Sequence, residues 1–291
     1  MKSLLIYASE LAACLNRNKY KSVNECTRLI WTRYDSESYN SALMRNELEP
    51  EESVEKILES SGVKESIQLL IRENDQKNSL KLEDEIKKVF QDSNDSNVEL
   101  DKKLMNQVKS FIHTSKGTRD EEKSLDLVQE ETGIAIEQRN SKFYKKKINE
   151  KVSVGGRVDG IQSDGTLVEM KNRQYRFFNV VPIYEKIQVH VYMFLTDRQE
   201  CKLIESFRGK TKTTMITFDQ NLWDSIKIEI EAFAESFHNL QEDPKLQDHL
   251  LSNPNNDFSN YVQEVVSEVE CDGCKFNWCS QKDHACLGYG L

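Results

Sequence analysis

Apolar residues recur at helical spacing through residues 1 to about 70. Leu11, Ala12, Cys14 and Leu15 follow Ser9, which suits a helix cap, and Cys26, Leu29, Ile30 and Trp31 follow Ser22 in the same way. Two more helices are predicted over 52–58 and 63–72. From Glu73 to Asn97 the composition turns polar and charged around one short amphipathic helix bearing Leu82, Ile86 and Val89, a pattern for a mobile excursion or an inserted helical arm. Helices over 100–112 and 122–132 come next, with Lys116-Gly117-Thr118-Arg119-Asp120-Glu121 between them and Gly133 as a left-handed cap at the end of the second.

Beyond Gly133 the period shortens from helical to alternating. Residues 134–138 and 142–148 read as strands turning at Asn140-Ser141, and 153–172 as a hairpin turning at Ser163-Asp164-Gly165. Residues 184–196 are apolar on nearly all sides and predict a buried helix. Strands at 201–207 and 213–218 flank a basic loop at 208–212, and a long amphipathic helix runs from Asp219 to about Leu240. This order predicts an α/β fold, with a mixed central sheet flanked by helices on both faces. The chain then divides into a helical N-terminal region (1–105, with the polar segment at 73–99), a core (106–241) and a cysteine-rich C-terminal tail (242–291).

Composition narrows the function classes. With 31% charged and 37% hydrophobic residues, the chain predicts a compact core with long solvated helices. A net charge of -9 argues against a general nucleic-acid coating protein, though not against a local basic groove. No apolar run is long enough to span a bilayer, and Glu10 interrupts the apolar start, so a soluble, intracellular protein without a membrane partner is expected. Of seven cysteines, Cys14, Cys26 and Cys201 sit in apolar contexts as buried thiols. Cys271, Cys274, Cys279 and Cys286 crowd the tail, where they suit tetrahedral zinc with His284 or Cys286 as the fourth ligand.

The sharpest chemistry lies in Gly155-Gly156-Arg157-Val158-Asp159-Gly160 and Leu167-Val168-Glu169-Met170-Lys171. Glu169 and Lys171 are two residues apart and share a strand face, and Asp159 stands on the partner strand. Two carboxylates with the Met170 carbonyl suffice for magnesium, and Lys171 is placed as a point charge beside the scissile phosphate. Gln188 and Tyr192 share one face of the buried helix, where a glutamine needs a polar partner. Glu121, four residues after Gly117, is suited to support the same metal. Arg173, Arg176, Arg208 and Lys210, with Lys145 to Lys147, are candidates for a phosphate-binding groove.

In this order, G-x-x-x-E, Asp, E-x-K and Q-x-x-x-Y resemble the RecB-like branch of the PD-(D/E)xK nuclease superfamily. Ala8-Ser9-Glu10-Leu11, followed by Arg17-Asn18-Lys19-Tyr20-Lys21-Ser22, is similar to the YqaJ and lambda-type viral recombination exonucleases. The resemblance implies a restriction-endonuclease-like core in which Asp159 and Glu169 hold magnesium, or manganese in its place, and Lys171 assists the water. It also implies that Glu121 supports the metal, that Gln188 and Tyr192 order the site and the DNA strand, and that Ser9 and Arg17 lie near a DNA-end phosphate. Val158 stands where the family pattern has proline. Related nucleases with a [4Fe-4S] cluster use one upstream cysteine and three at the C-terminus, a role open here to Cys26 and the tail. The expected function is a DNA exonuclease acting on double-stranded ends or single strands in recombination, repair or replication, alone, as a homo-oligomer or with a recombination partner. An RNA endonuclease with the same metal site and a non-catalytic nucleic-acid-binding or assembly module are the alternatives.

Overall fold

Leu4 and Ile6 are fully buried between half-exposed neighbours, and this alternation makes a strand, β1 (Leu4–Tyr7), inside a stretch whose pattern suggests only helices. The computed structural model describes residues 2–50, 52–73, 79–93, 100–137, 139 and 141–252. β1 feeds directly into α1 (Ala8–Cys14), so Ser9 lies in the first turn and Tyr7 takes the cap position. The Glu10 carboxylate secures that start by accepting from the Tyr7 N–H at 3.1 Å. At α2 (Val23–Tyr34) the Ser22 cap is present, with reciprocal bonds between Ser22 and Glu25. α3 (Ser36–Arg45) has too few apolar positions to stand out in the sequence, and starts where Asp35 accepts from the Ser38 N–H.

The next helices are α4 (Val54–Ser60), α5 (Lys64–Glu73) and α6 (Ser79–Asp92), then α7 (Lys102–Thr132). α4 to α6 and the first half of α7 enclose a core of their own, including Leu58, Ile67, Leu82, Ile86, Val108 and Ile112. The short helix in the polar stretch is therefore packed, with Leu82 and Ile86 buried and Val89 half-buried. The two helices expected over 100–112 and 122–132 are one, because α7 runs unbroken for 31 residues to Gly133. Gly117 in its middle costs about 1 kcal/mol against alanine, which a helix packed at both ends tolerates. Gly133 closes it in the left-handed region, φ 67°.

Two mixed sheets follow where one was expected. β3 (Phe143–Lys147) and β1 flank β4 (Val152–Arg157) in the first. The second has the order β2 (Ile136–Glu137), β5 (Gly160–Gln162), β6 (Leu167–Asn172), β7 (Glu200–Phe207), β8 (Lys210–Thr217). β2 and β3 thus go to different sheets and do not form a hairpin. β5 and β6 do, turning at Gly165 with φ 89°. β6 and β7 are parallel from Leu167 opposite Cys201 to Asn172 opposite Ser206, joined by α8 (Ile183–Thr196). The basic loop shrinks to Arg208-Gly209, both at positive φ, which suits a two-residue hairpin and leaves Lys210 and Lys212 in β8. α9 (Gln220–Glu242) starts at the Asp219 cap, and α10 (Pro244–Ser252) extends the helical structure into the segment that reads as polar tail.

Two faces of β6 meet two helices. Val168 and Met170 pack with Leu125 and Val128 of α7 and Ile204 of β7. Leu167 packs with Ile187 and Val191 of α8 in the main core, which also takes in Phe233 and Phe237 of α9. Among the described residues no helix is long and apolar enough to cross a membrane. Because the helical insert has its own core, Ile86→Ala should lower its stability by about 2–5 kcal/mol. Hydrogen exchange should then show protection lost across α4 to α6 and retained in β6 and β7; equal loss in both would contradict separate cores.

Candidate active site

Strand alternation places Leu167, Glu169 and Lys171 on the α8 face of β6. Leu167 belongs in the core, so Glu169 is carried in with it and is 2% exposed. A buried carboxylate without a partner costs several kcal/mol. Lys171 answers that charge: its Nζ donates to Glu169 Oε1 at 2.6 Å and to Gln188 Oε1 at 3.1 Å. Burial pulls the Lys171 pKa down, but Glu169, then Asp159 and Glu185, outweigh it and raise the value above the ordinary 10.5. Lys171 is therefore a fixed cation at neutral pH. Glu169 Oε2 is buried without a hydrogen-bond partner.

Asp159 reaches the same strand from a bend rather than from the partner strand. The chain leaves the first sheet at Arg157 and enters the second at Gly160, and Val158-Asp159 makes the crossing. Val158 is buried in the main core. Asp159 is 7% exposed, and its Oδ2 accepts from the Met170 N–H at 2.7 Å. In an extended strand the N–H and C=O of one residue point to the same edge, so the Met170 carbonyl also faces the Asp159 side. β5 pairs with β6 only as far as Val168, which leaves the edge beyond it to Asp159.

α8 supplies the facing wall. Gln188 Nε2 donates to the Tyr192 hydroxyl at 3.1 Å, extending a row from Glu169 through Lys171 and Gln188 to Tyr192. The Tyr192 ring lies so close to Gly156 that a Cβ there would come within 2.8 Å of a ring carbon, which explains the glycine. Beside it opens a cleft of about 490 Å³ lined by Tyr7, Ser9, Phe143, Gly156, Arg157 and Tyr192. In the sequence Arg157 shows only as a cation two residues before Asp159, and its place on the cleft comes from the fold alone.

The remaining candidates are placed as follows. Arg173 is 10% exposed and bound by both terminal nitrogens to Glu185 (2.6 and 2.8 Å) and by Nε to Glu205 (2.7 Å), so it ties the end of β6 to α8 and β7. Arg176, Arg208 and Lys210 are exposed. Lys146 and Lys147 are paired with Asp197 and Glu150. Arg17 pairs with Glu229 at 3.2 Å; burial raises the Glu229 pKa and Arg17 opposes the rise. Asn172 Nδ2 donates to the Gly117 carbonyl at 3.2 Å, which lays α7 against the end of β6 one turn before Glu121. The Glu121 side chain lies outside the described residues, as do Cys271, Cys274, Cys279, His284 and Cys286. Cys26 is fully buried with its Sγ 3.3 Å from that of Cys14. Among the described residues no three His, Cys, Asp or Glu side chains form a metal-holding group.

No protein-family model matches the chain, and no curated protein matches it. Solved structures similar to it include an alkaline exonuclease from Laribacter hongkongensis, with 19% identity over 47% of this chain and 75% of that one, TM-score 0.40. A second structure of that exonuclease, in complex with dAMP, matches at 16% identity over 61% and 88%, TM-score 0.37. A phage-related exonuclease from Haemophilus somnus 129PT matches at 16% identity over 87% and 98%, TM-score 0.38. These are partial likenesses, and the chemistry of the site rests on its own side chains.

α8 is held at its middle by His190, whose Nε2 accepts from the Asp219 N–H at 3.1 Å while Nδ1 lies 2.8 Å from the Lys186 carbonyl. That pattern requires the neutral ring with its proton on Nδ1. Burial lowers its pKa below 6.5, against smaller raising effects of Lys186 and Asp219. The unfolded chain therefore takes up this proton first as pH falls, and the stability contributed by His190 is lost below pH 6.5. His190→Gln should flatten the fall in urea midpoint between neutral and mildly acidic pH; an unchanged fall would remove His190 as its source.

Proposed function

We propose that the chain is a magnesium-dependent DNA nuclease of the restriction-endonuclease-like, PD-(D/E)xK kind, acting on DNA ends. The observation that carries this reading is Glu169, buried with one oxygen on Lys171 and the other without a partner, beside the buried Asp159. An orphaned carboxylate oxygen in an apolar interior fits a hard divalent cation, as do the neighbouring carboxylate and the Met170 carbonyl. Asp159, Glu169 and Met170 would hold magnesium or manganese, and Glu121 is a proposed supporting ligand. When bound there, such a cation would supply Lewis acidity toward the phosphate and would lower the pKa of water.

The chain's own residues do the rest. Lys171, charged and fixed from two sides, places a point charge against the phosphate as negative charge grows on it. Gln188 orients Lys171 and Tyr192 together. Arg173 holds the first turn of α8 to β6 and thereby sets where Gln188 meets Lys171. Arg157, Arg176, Arg208 and Lys210 are proposed phosphate contacts that position DNA without reading sequence. The preference for ends rests on the Ala8-Ser9-Glu10-Leu11 resemblance and on Ser9 lining the cleft beside Tyr192. Recombination, repair and replication are settings that suit such an activity. In the tail, zinc held by Cys271, Cys274, Cys279 and His284 or Cys286 is preferred to a [4Fe-4S] cluster that recruits Cys26, because Cys26 already packs on Cys14 in the core.

Lys171→Ala and Asp159→Asn should each slow digestion of linear DNA in magnesium by about 100- to 1000-fold. Circular dichroism should stay that of a folded protein, and chelator should abolish wild-type activity. Digestion by Lys171→Ala at the wild-type rate would remove the site assignment. Faster cleavage of end-labelled RNA than of DNA would move the substrate class.

A further inference from the structure

Tyr184, Gln188 and Tyr192 are spaced by four and share one face of α8. Gln188 touches Lys171, Tyr192 lines the cleft, and Tyr184 stands at the solvent end of the same row. There it meets Tyr20 edge to face, with ring centroids 5.8 Å apart and planes at 82°. Tyr20 comes from the basic loop after α1 and is 69% exposed. The loop is anchored: Arg17 at its start is bound to Glu229 of α9, and the Tyr20 N–H donates to Asn18 Oδ1 at 2.9 Å. Lys19 places its Nζ over the Tyr20 ring, 5.0 Å from the centroid, and the half-buried Lys21 follows Tyr20 in the sequence. Two phenols at right angles, held at an anchored loop and flanked by two lysines, thus stand one helical turn from the glutamine that holds Lys171.

We propose that the Tyr20–Tyr184 pair is a stacking platform for an unpaired nucleobase of the DNA strand, with Lys19 and Lys21 meeting the adjoining phosphates. Stacking of this kind accepts any base, because every base has a π-face. The lysines add the sequence-independent electrostatic attraction. Burial, with Glu185 and Tyr20 adding to it, pushes the Tyr184 hydroxyl up to about 12, so this phenol brings no negative charge to the phosphate. The placement of this platform on the substrate path rests on the nuclease reading; its existence as a binding site does not.

The test is fluorescence anisotropy of the full chain with a short labelled oligothymidylate, in chelator, so that no cleavage is required. Tyr20→Leu should weaken binding by about 5- to 100-fold, the range for losing one base–aromatic stack. Tyr20→Phe should bind within about twofold of wild type, because the ring and not the hydroxyl carries the contact. An oligonucleotide with abasic residues should bind wild type and Tyr20→Leu equally weakly, and Lys19→Ala with Lys21→Ala should reduce the salt dependence. Wild-type binding by Tyr20→Leu, equal losses in Tyr20→Phe and Tyr20→Leu, or no binding by wild type would each overturn the platform. If wild type binds as described yet cleaves no DNA in magnesium, the nuclease reading fails and the platform stands. If it cleaves while Tyr20→Leu binds unchanged, the reverse holds.

Discussion

A carboxylate driven into an apolar interior must find a counter-charge, and the second sheet is arranged around that requirement at Glu169. Leu167 fixes which face of β6 turns inward, and Glu169 follows two residues later with no choice of side. Lys171, on the same face where the strand nears its end, bonds one carboxylate oxygen while 23% of its side chain remains exposed. The other oxygen stays unbonded in the interior. A half-satisfied buried ion is a costly arrangement for a merely structural strand, and a useful one for binding a cation.

The rest of the architecture brings partners to that point. The first sheet ends at Arg157, and the bend into β5 delivers Asp159 to the free edge of β6. α8 brings Gln188, and its position is fixed three ways: by Arg173 at its first turn, by His190 at its middle, and by Tyr192 seated on Gly156. Arg173, Glu185 and Glu205 form a second buried charge group on the same face, one strand position further along. It is fully paired where the Glu169 group is not.

Much of this was legible in the sequence. The apolar run 184–196 could only be buried, so Gln188 within it needed a polar partner, and Lys171 is that partner. The two-residue spacing of Glu169 and Lys171 also fixed their common face. Less local features were harder to read. β1 is short and flows into α1 without a turn residue, so its period merges with that of the helix that follows. β2 and β3 look like a hairpin because pairing partners are set by tertiary contacts, not by the residues between them. Gly117 suggested a break in α7, but packing at both ends overrode its weak propensity. Arg173 stood among other basic residues; only the burial of Glu185 and Glu205 distinguishes it from a phosphate contact.

The proposed divalent-cation site joins Asp159, Glu169 and the Met170 carbonyl. Crystals of the full chain soaked in manganese and measured at its absorption edge test it most directly. An anomalous peak in contact with both carboxylates and the Met170 carbonyl is the predicted result. Manganese bound only elsewhere, with the Glu169–Lys171 pair unchanged, would contradict it.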